Sequence, residues 1–211
     1  MFDYSKLWIL LSLQIMILVI PGVSFAVIVR NSVVGGRENG ILTALGLSLA
    51  ISCHIAFSIL GIAIIAEASP LFYIVRYAGG LYLIWMGYRF WKESSKPFAE
   101  MEESLKLPLG VIQKKSALDA IKTGFLIDIL NPYIFLFHFS TFMAVLPPSI
   151  PLSHKAIYAS SLVLISLAWF VFISIVFSNS KIRGMLMNYR QWTERLTTLV
   201  LVFFGCRILL Y

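Results

Sequence analysis

The sequence predicts an all-α, polytopic membrane protein with six transmembrane helices arranged as two inverted three-helix repeats. Three observations carry this expectation. Hydrophobic residues make up 59% of the 211 and mean hydropathy is +0.88, leaving too few polar residues to cover a soluble globule. Charged residues, 13% of the chain, fall mostly between the apolar stretches, as expected where a charge in hydrocarbon is costly. Helix-breaking pairs interrupt the first and fourth stretches, Pro21-Gly22 and Asn131-Pro132, at corresponding places in the two halves, a pattern that points to a transporter binding site near the bilayer midplane.

A span takes about 20 mainly apolar residues, and six such stretches run over Trp8–Val29, Ile41–Ala66, Pro70–Trp91, Ala117–Leu146, Ala156–Ser178 and Arg195–Tyr211. The run after Met1 to Leu7 is too long for a signal-peptide core and no cleavage motif is evident, so it is expected to stay as the first span. Gly35-Gly36 with Asn39-Gly40, Ser69-Pro70, and Pro147-Pro148 with Pro151 mark tight turns. Between spans three and four, residues 92–116 form a charged linker in which Glu100, Glu102 and Glu103 precede Lys106, Lys114 and Lys115. It divides one membrane domain into halves at 1–91 and 117–211. Ser116 followed by Asp119 fits a capping box opening span four.

Thirteen of the 17 basic residues lie in or beside loops one, three and five, which puts the linker in the cytoplasm and both termini outside. The expected location is a bacterial plasma (inner) membrane. Three spans per half is an odd number, so halves of like fold must lie upside down relative to each other. Matching Gly-x-Arg steps, Gly87-Tyr88-Arg89 and Gly205-Cys206-Arg207, close spans three and six.

The breaks draw attention because proline has no amide hydrogen and its ring clashes one turn back, so Pro21 with flexible Gly22 frees backbone groups. Within a membrane such groups must be buried in protein or line a wet cavity, and freed helix ends can hold a carboxylate or a cation. In span four Asp128 precedes Asn131-Pro132 by one turn and follows Gly124 by four residues, which places Gly124, Asp128 and Asn131 on one helical face. An acid at that depth is a site candidate, able to meet an ammonium group or a proton. The bland alternative satisfies it with a neighbouring hydroxyl or Arg76. In span two, Gly46, Ala50, Cys53, His54, Ser58 and Gly61 make a small-residue face for close helix contact. His54 on that face is either a proton relay or a histidine satisfied by a carbonyl or serine, and His138 poses the same choice. The tryptophans Trp8, Trp85, Trp91, Trp169 and Trp192 read as interface anchors or packing residues.

Cys53 and Cys206 lie in separate stretches and form no C-x-x-C pair or metal cluster, which argues against redox and zinc sites. No nucleophile elbow, H-E-x-x-H pair or phosphate loop occurs, so no enzyme activity, cofactor or metal is expected. Nucleic acid is not an expected partner either, because the net charge of +7 resides in loops without an aromatic-interleaved basic stripe.

Pro21-Gly22-Val23, Val29-Arg30-Asn31-Ser32 and Gly35-Gly36-Arg37-Glu38-Asn39-Gly40 resemble the first motif block of the LysE/RhtB amino-acid exporter family. Gly46 and His54, Gly79-Gly80-Leu81-Tyr82-Leu83 with Gly87, and Gly124-Phe125 leading to Leu130-Asn131-Pro132 continue the likeness. This chain departs from the family's Pro-Gly-Pro with Val23 and from its Asn-Pro-Lys with Tyr133, and it carries Asp128 where Asn is usual.

The resemblance implies a permease that exports a small amino acid or related zwitterion by proton antiport, with the bilayer as its surroundings and a homo-oligomer as an option. Asp128, Asn131, Pro132, Pro21, Gly22, Gly124 and His54 are the expected substrate and coupling residues. The rival readings are a cation exporter, a non-transporting interaction or regulatory protein derived from an exporter, and a DsbD/CcdA-like redox carrier, which needs paired cysteines.

Overall fold

The computed structural model describes residues 2–20, 22–64, 70–93 and 116–178, together with Arg195, Thr198, Leu199, Val202, Phe203, Gly205, Cys206, Leu209 and Leu210. Pro21, Trp192, Arg207 and most of the 92–116 linker lie outside the described residues, as do the side chains of Arg76 and Arg89. Among the described residues are seven helices: α1 Tyr4–Val19, α2 Val23–Val34, α3 Gly36–Ile64, α4 Pro70–Glu93, α5 Ala117–Ile129, α6 Pro132–Val145 and α7 Leu152–Phe177. The described residues from Arg195 to Leu210 are helical as well.

α3 over Gly36–Gly61 and α7 over Leu152–Phe177 are each long and apolar enough to cross a bilayer. The pairs α1 with α2 and α5 with α6 meet that measure together and are bent by 57° and 61°. This gives up to four spans among the described residues, against the six expected. α4, at 24 residues, is long enough, but Arg76 and four tyrosines dilute its apolar run.

Helix ends follow local chemistry. α1 starts at Tyr4, earlier than Trp8, because the Asp3 carboxylate accepts from the amides of Ser5 (3.0 Å) and Lys6 (3.3 Å) and pairs with the Lys6 ammonium. α5 starts where Ser116 Oγ accepts from the Asp119 amide at 3.2 Å. The Asp119 carboxylate accepts from the Ser116 hydroxyl at 2.6 Å, so the pair caps the helix in the expected place, with the hydroxyl in place of the backbone amide as the second donor. α7 starts directly after Pro151, four residues before Ala156.

The corner between α2 and α3 accounts for the glycine-rich block. Gly36 has φ +77, which favours glycine. A methyl on Gly35 would strike the Asn39 side chain, and one on Gly40 the Ser32 hydroxyl. Asn31 Nδ2 donates to Thr43 Oγ1 at 2.8 Å, and Thr43 donates to the Asn39 carbonyl at 2.8 Å, tying α2 onto the first turns of α3.

α3 and α5 touch backbone to backbone. A methyl on Gly46 would collide with the Ile121 carbonyl, and one on Gly124 with the Thr43 carbonyl. The small-residue face therefore does what its spacing foretold. Around this contact the core is apolar, with Leu10 and Leu13 of α1, Ile28 of α2, Leu47 and Ile55 of α3, and Phe137 and Phe142 of α6 buried.

Gly124→Ala is expected to destabilise the protein. Alanine improves helix propensity by about 1 kcal/mol, whereas overpacking typically costs about 1–3 kcal/mol, and a carbonyl within a helix cannot swing aside. Unfolding in detergent should show a lower midpoint for Gly124→Ala; a higher one would refute the close crossing.

Candidate functional site

The two helix breaks meet at one hydrogen bond. Ser24 lies in the first turn of α2, just past the first break, and Asp128 is the penultimate residue of α5, just before the second. Ser24 Oγ donates to Asp128 Oδ1 at 2.6 Å across 104 residues of sequence. Asp128 is 1% exposed, and its other carboxylate oxygen, Oδ2, is buried without a hydrogen-bond partner. Among the described residues Asp128 makes no ion pair.

The Asp128 main chain is engaged too. Its carbonyl accepts from the Asn131 amide at 2.9 Å and from His54 Nε2 of α3 at 3.0 Å. A carbonyl oxygen only accepts, so His54 donates through Nε2, and in the neutral ring Nδ1 is left as an acceptor. That nitrogen is buried and unpartnered. The centre thus holds two unused acceptors, Asp128 Oδ2 and His54 Nδ1. Such a pair suits a donor bearing positive charge.

Asn131 does different work from that expected of a ligand. Its side-chain oxygen accepts from the Tyr133 amide at 3.0 Å, capping α6 with Pro132 in the first helical turn. Pro132 itself is exposed on the bundle. Gly124 is a packing glycine that seats α5 on α3. Gly22 is the N-cap of α2 and provides no side-chain cap to the positive end of that helix. Pro21 lies outside the described residues.

Several contributors escaped the sequence reading. Ser24 could have been suspected from a hydroxyl placed right after the Pro21-Gly22 break. Gln14 is an amide in an otherwise apolar run, and it is 1% exposed; a buried polar residue at such depth is itself a signal. Trp169 is more than an anchor, since its indole donates to the Leu18 carbonyl at 2.9 Å, at the end of α1 where the helix ladder stops. Tyr133 stacks on Trp85 of α4 with centroids 5.9 Å apart, and Tyr82 donates to the Tyr133 carbonyl at 3.2 Å. Among the described residues no three His, Cys, Asp or Glu side chains gather as a metal-holding group.

If Ser24 and Asp128 join the two breaks, Ser24→Ala and Asp128→Asn should be coupled. A double-mutant cycle on unfolding in detergent is expected to give an interaction of about 1.5–3 kcal/mol, as for hydrogen bonds to charged groups. Strict additivity would deny the link.

The family model for LysE type translocators matches residues 15–211. Among curated relatives, the uncharacterized membrane protein YahN of Escherichia coli K12 is 26% identical, covering 90% of this chain and 82% of that protein. The membrane protein YrhP of Bacillus subtilis 168 is 27% identical over 91% of this chain and 92% of its own. The threonine efflux protein of Escherichia coli K12 is 21% identical over 93% and 94%. No solved structure matches the chain. With a match running over both broken helices and nearly the whole sequence, the chain belongs to the LysE type translocators and is a multi-pass membrane protein of that exporter family.

Proposed function

We propose that this translocator exports a small amino acid or related zwitterion from the cytoplasm by proton antiport, using the centre where α2 and α5 meet. The observation that carries the reading is the Ser24–Asp128 hydrogen bond. An α-amino acid bears opposite charges on one carbon and therefore needs opposite partners side by side. The amino end of α2, which Gly22 leaves without a side-chain cap, suits the carboxylate. Asp128 Oδ2 and His54 Nδ1, both unpartnered, suit the ammonium group or the coupling proton. Threonine efflux proteins among the relatives make threonine the first substrate to try.

The paired bends of 57° and 61° support the arrangement of six spans in two inverted halves, 1–91 and 117–211, joined by the 92–116 linker. On this reading both termini lie outside a bacterial inner membrane, and one half rocks against the other around the centre. A second reading, cation export, is favoured by the acceptor-only character of Asp128 Oδ2 and His54 Nδ1. A simple amine lacking a carboxylate would satisfy that pair without using the end of α2.

Threonine flux in proteoliposomes, with and without an imposed pH gradient, tests both. Asp128→Asn is expected to lower flux by about tenfold or more, the loss of one charge-assisted hydrogen bond. Unchanged flux in that variant would remove Asp128 from the site, and flux of the amine without threonine would favour the second reading.

A further inference from the structure

His138 lies in α6, beyond the second break, and is 1% exposed. Both of its ring nitrogens rest on oxygen. Nδ1 is 2.8 Å from the Ile134 carbonyl one turn back, and Nε2 is 3.1 Å from Gln14 Oε1 on α1. Since a carbonyl offers only lone pairs, Nδ1 carries a hydrogen. What Nε2 carries depends on the far side of Gln14. There Gln14 Nε2 donates to Ser166 Oγ of α7 at 2.9 Å, and the Ser166 hydroxyl donates to the Leu162 carbonyl at 2.7 Å. In this arrangement every hydrogen points from His138 towards Leu162, and His138 donates from both nitrogens. That orientation of the amide is the one matched to an imidazolium.

Taking the Nε2 proton away leaves a lone pair facing the Gln14 oxygen, which a buried site does not tolerate. One rearrangement repairs it within the same atoms. The Gln14 amide turns over so that its NH2 donates to His138 Nε2, and the Ser166 hydroxyl swings from Leu162 to donate to Gln14 Oε1. Either way round, each contact between the three side chains has one donor and one acceptor, so the orientation of the amide is tied to the protonation of the ring.

We propose that His138, Gln14 and Ser166 form a proton-binding site, separate from the Ser24–Asp128 bond, whose hydrogen-bond direction reverses when the proton leaves. On loading, an O–H bond of hydronium breaks as the Nε2–H bond forms and water is released; unloading is the reverse, and no other covalent bond changes. The titratable groups facing the ring among the described residues are His54 of α3, whose ring stacks at 6.2 Å, and, behind it, Asp128 of α5, whose carbonyl His54 bonds. From α1 and α7 the facing groups are the neutral Gln14 and Ser166. Because the array ties α6 to α1 and through it to α7, reversal alters contacts between the two halves of the chain. Its use as the site of the counter-transported proton rests on the exporter reading, whereas proton binding itself does not.

The test is nuclear magnetic resonance on the full chain in lipid nanodiscs, with 15N-labelled histidine and glutamine, titrated from about pH 4 to about pH 9 without substrate. His138 is assigned by comparison with His54→Gln and His154→Gln. The wild-type ring should pass from two protonated nitrogens to the Nδ1–H form, with the Gln14 side-chain amide shifting at the same midpoint. Gln14→Leu should bind the proton about tenfold more weakly. A ring that keeps one form throughout, or that titrates while the Gln14 amide stays unmoved, overturns the proposal, and the wild-type titration decides this even if the variant does not fold. Absence of threonine flux with the titration intact would count against the exporter reading alone.

Discussion

A main-chain carbonyl or amide shut away from water has to find a partner, and two helices broken inside an apolar bundle multiply that demand. The packing around the breaks answers it group by group. The Leu18 carbonyl, at the end of α1, receives the Trp169 indole. The Asp128 carbonyl receives both the Asn131 amide and His54 Nε2. The Tyr133 amide is capped by the Asn131 side chain. Each rescue recruits a side chain from elsewhere in sequence or from the break itself, so the breaks are where distant segments are tied together. Most of the main-chain dipole is spent in this way. Among the described residues, the buried side-chain atoms left without a partner are Asp128 Oδ2 and His54 Nδ1, with Thr141 Oγ1 further along α6.

The contact between His54 and Asp128 depends on a steric condition set two turns away. His54 reaches the Asp128 carbonyl only if α3 and α5 lie nearly in contact, and the glycines at 46 and 124 remove the atoms that would hold them apart. Gly46 and His54 share a face of α3, eight residues apart, while Gly124 and Asp128 share a face of α5, four apart. The packing contact and the chemical contact are two points on one crossing. The corner braced by Asn31, Thr43 and Asn39 then fixes the start of α3 against α2, and so sets where Ser24 stands relative to Asp128. Residues without chemistry of their own thereby position those that have it.

The breaks, the small-residue face and the cap at Ser116 could be read from the sequence because each rests on local geometry: proline lacks a hydrogen, helical faces repeat, and a serine before an apolar run caps it. The role of Asp128 was readable as a choice between a ligand and a carboxylate met by a hydroxyl. The hydroxyl is found, Ser24 on one oxygen, while the other oxygen has no hydrogen-bond partner and its role as a ligand belongs to the proposal. Asn131 was harder, since the same amide oxygen can cap a helix or meet a substrate, and only the position of the Tyr133 amide decides. Gln14, Trp169 and Ser166 were illegible as a group because their partners lie more than 120 residues away, and no periodicity reports a contact between helices that are not neighbours in sequence. The count of spans was legible only in part, because each bent pair meets the length of a span only when its two short helices are taken together, and α4 is too rich in tyrosine for its length to speak.

The departure at Tyr133 bears on what the centre can accept. The family pattern would place a lysine one residue after the proline, together with an asparagine where this chain has Asp128. Here the position carries a ring that stacks on Trp85, with its carbonyl held by Tyr82, so the residue joins α6 to α4 and supplies no charge. Asp128 is left with one hydroxyl for two oxygens, inside a core where an unpaired carboxylate is costly. A group in that condition either takes a proton or waits for a cation from outside, and the two exclude each other at a single oxygen. On the proposed exporter reading, proton and ammonium compete for Asp128 Oδ2, so that loading of one favours release of the other.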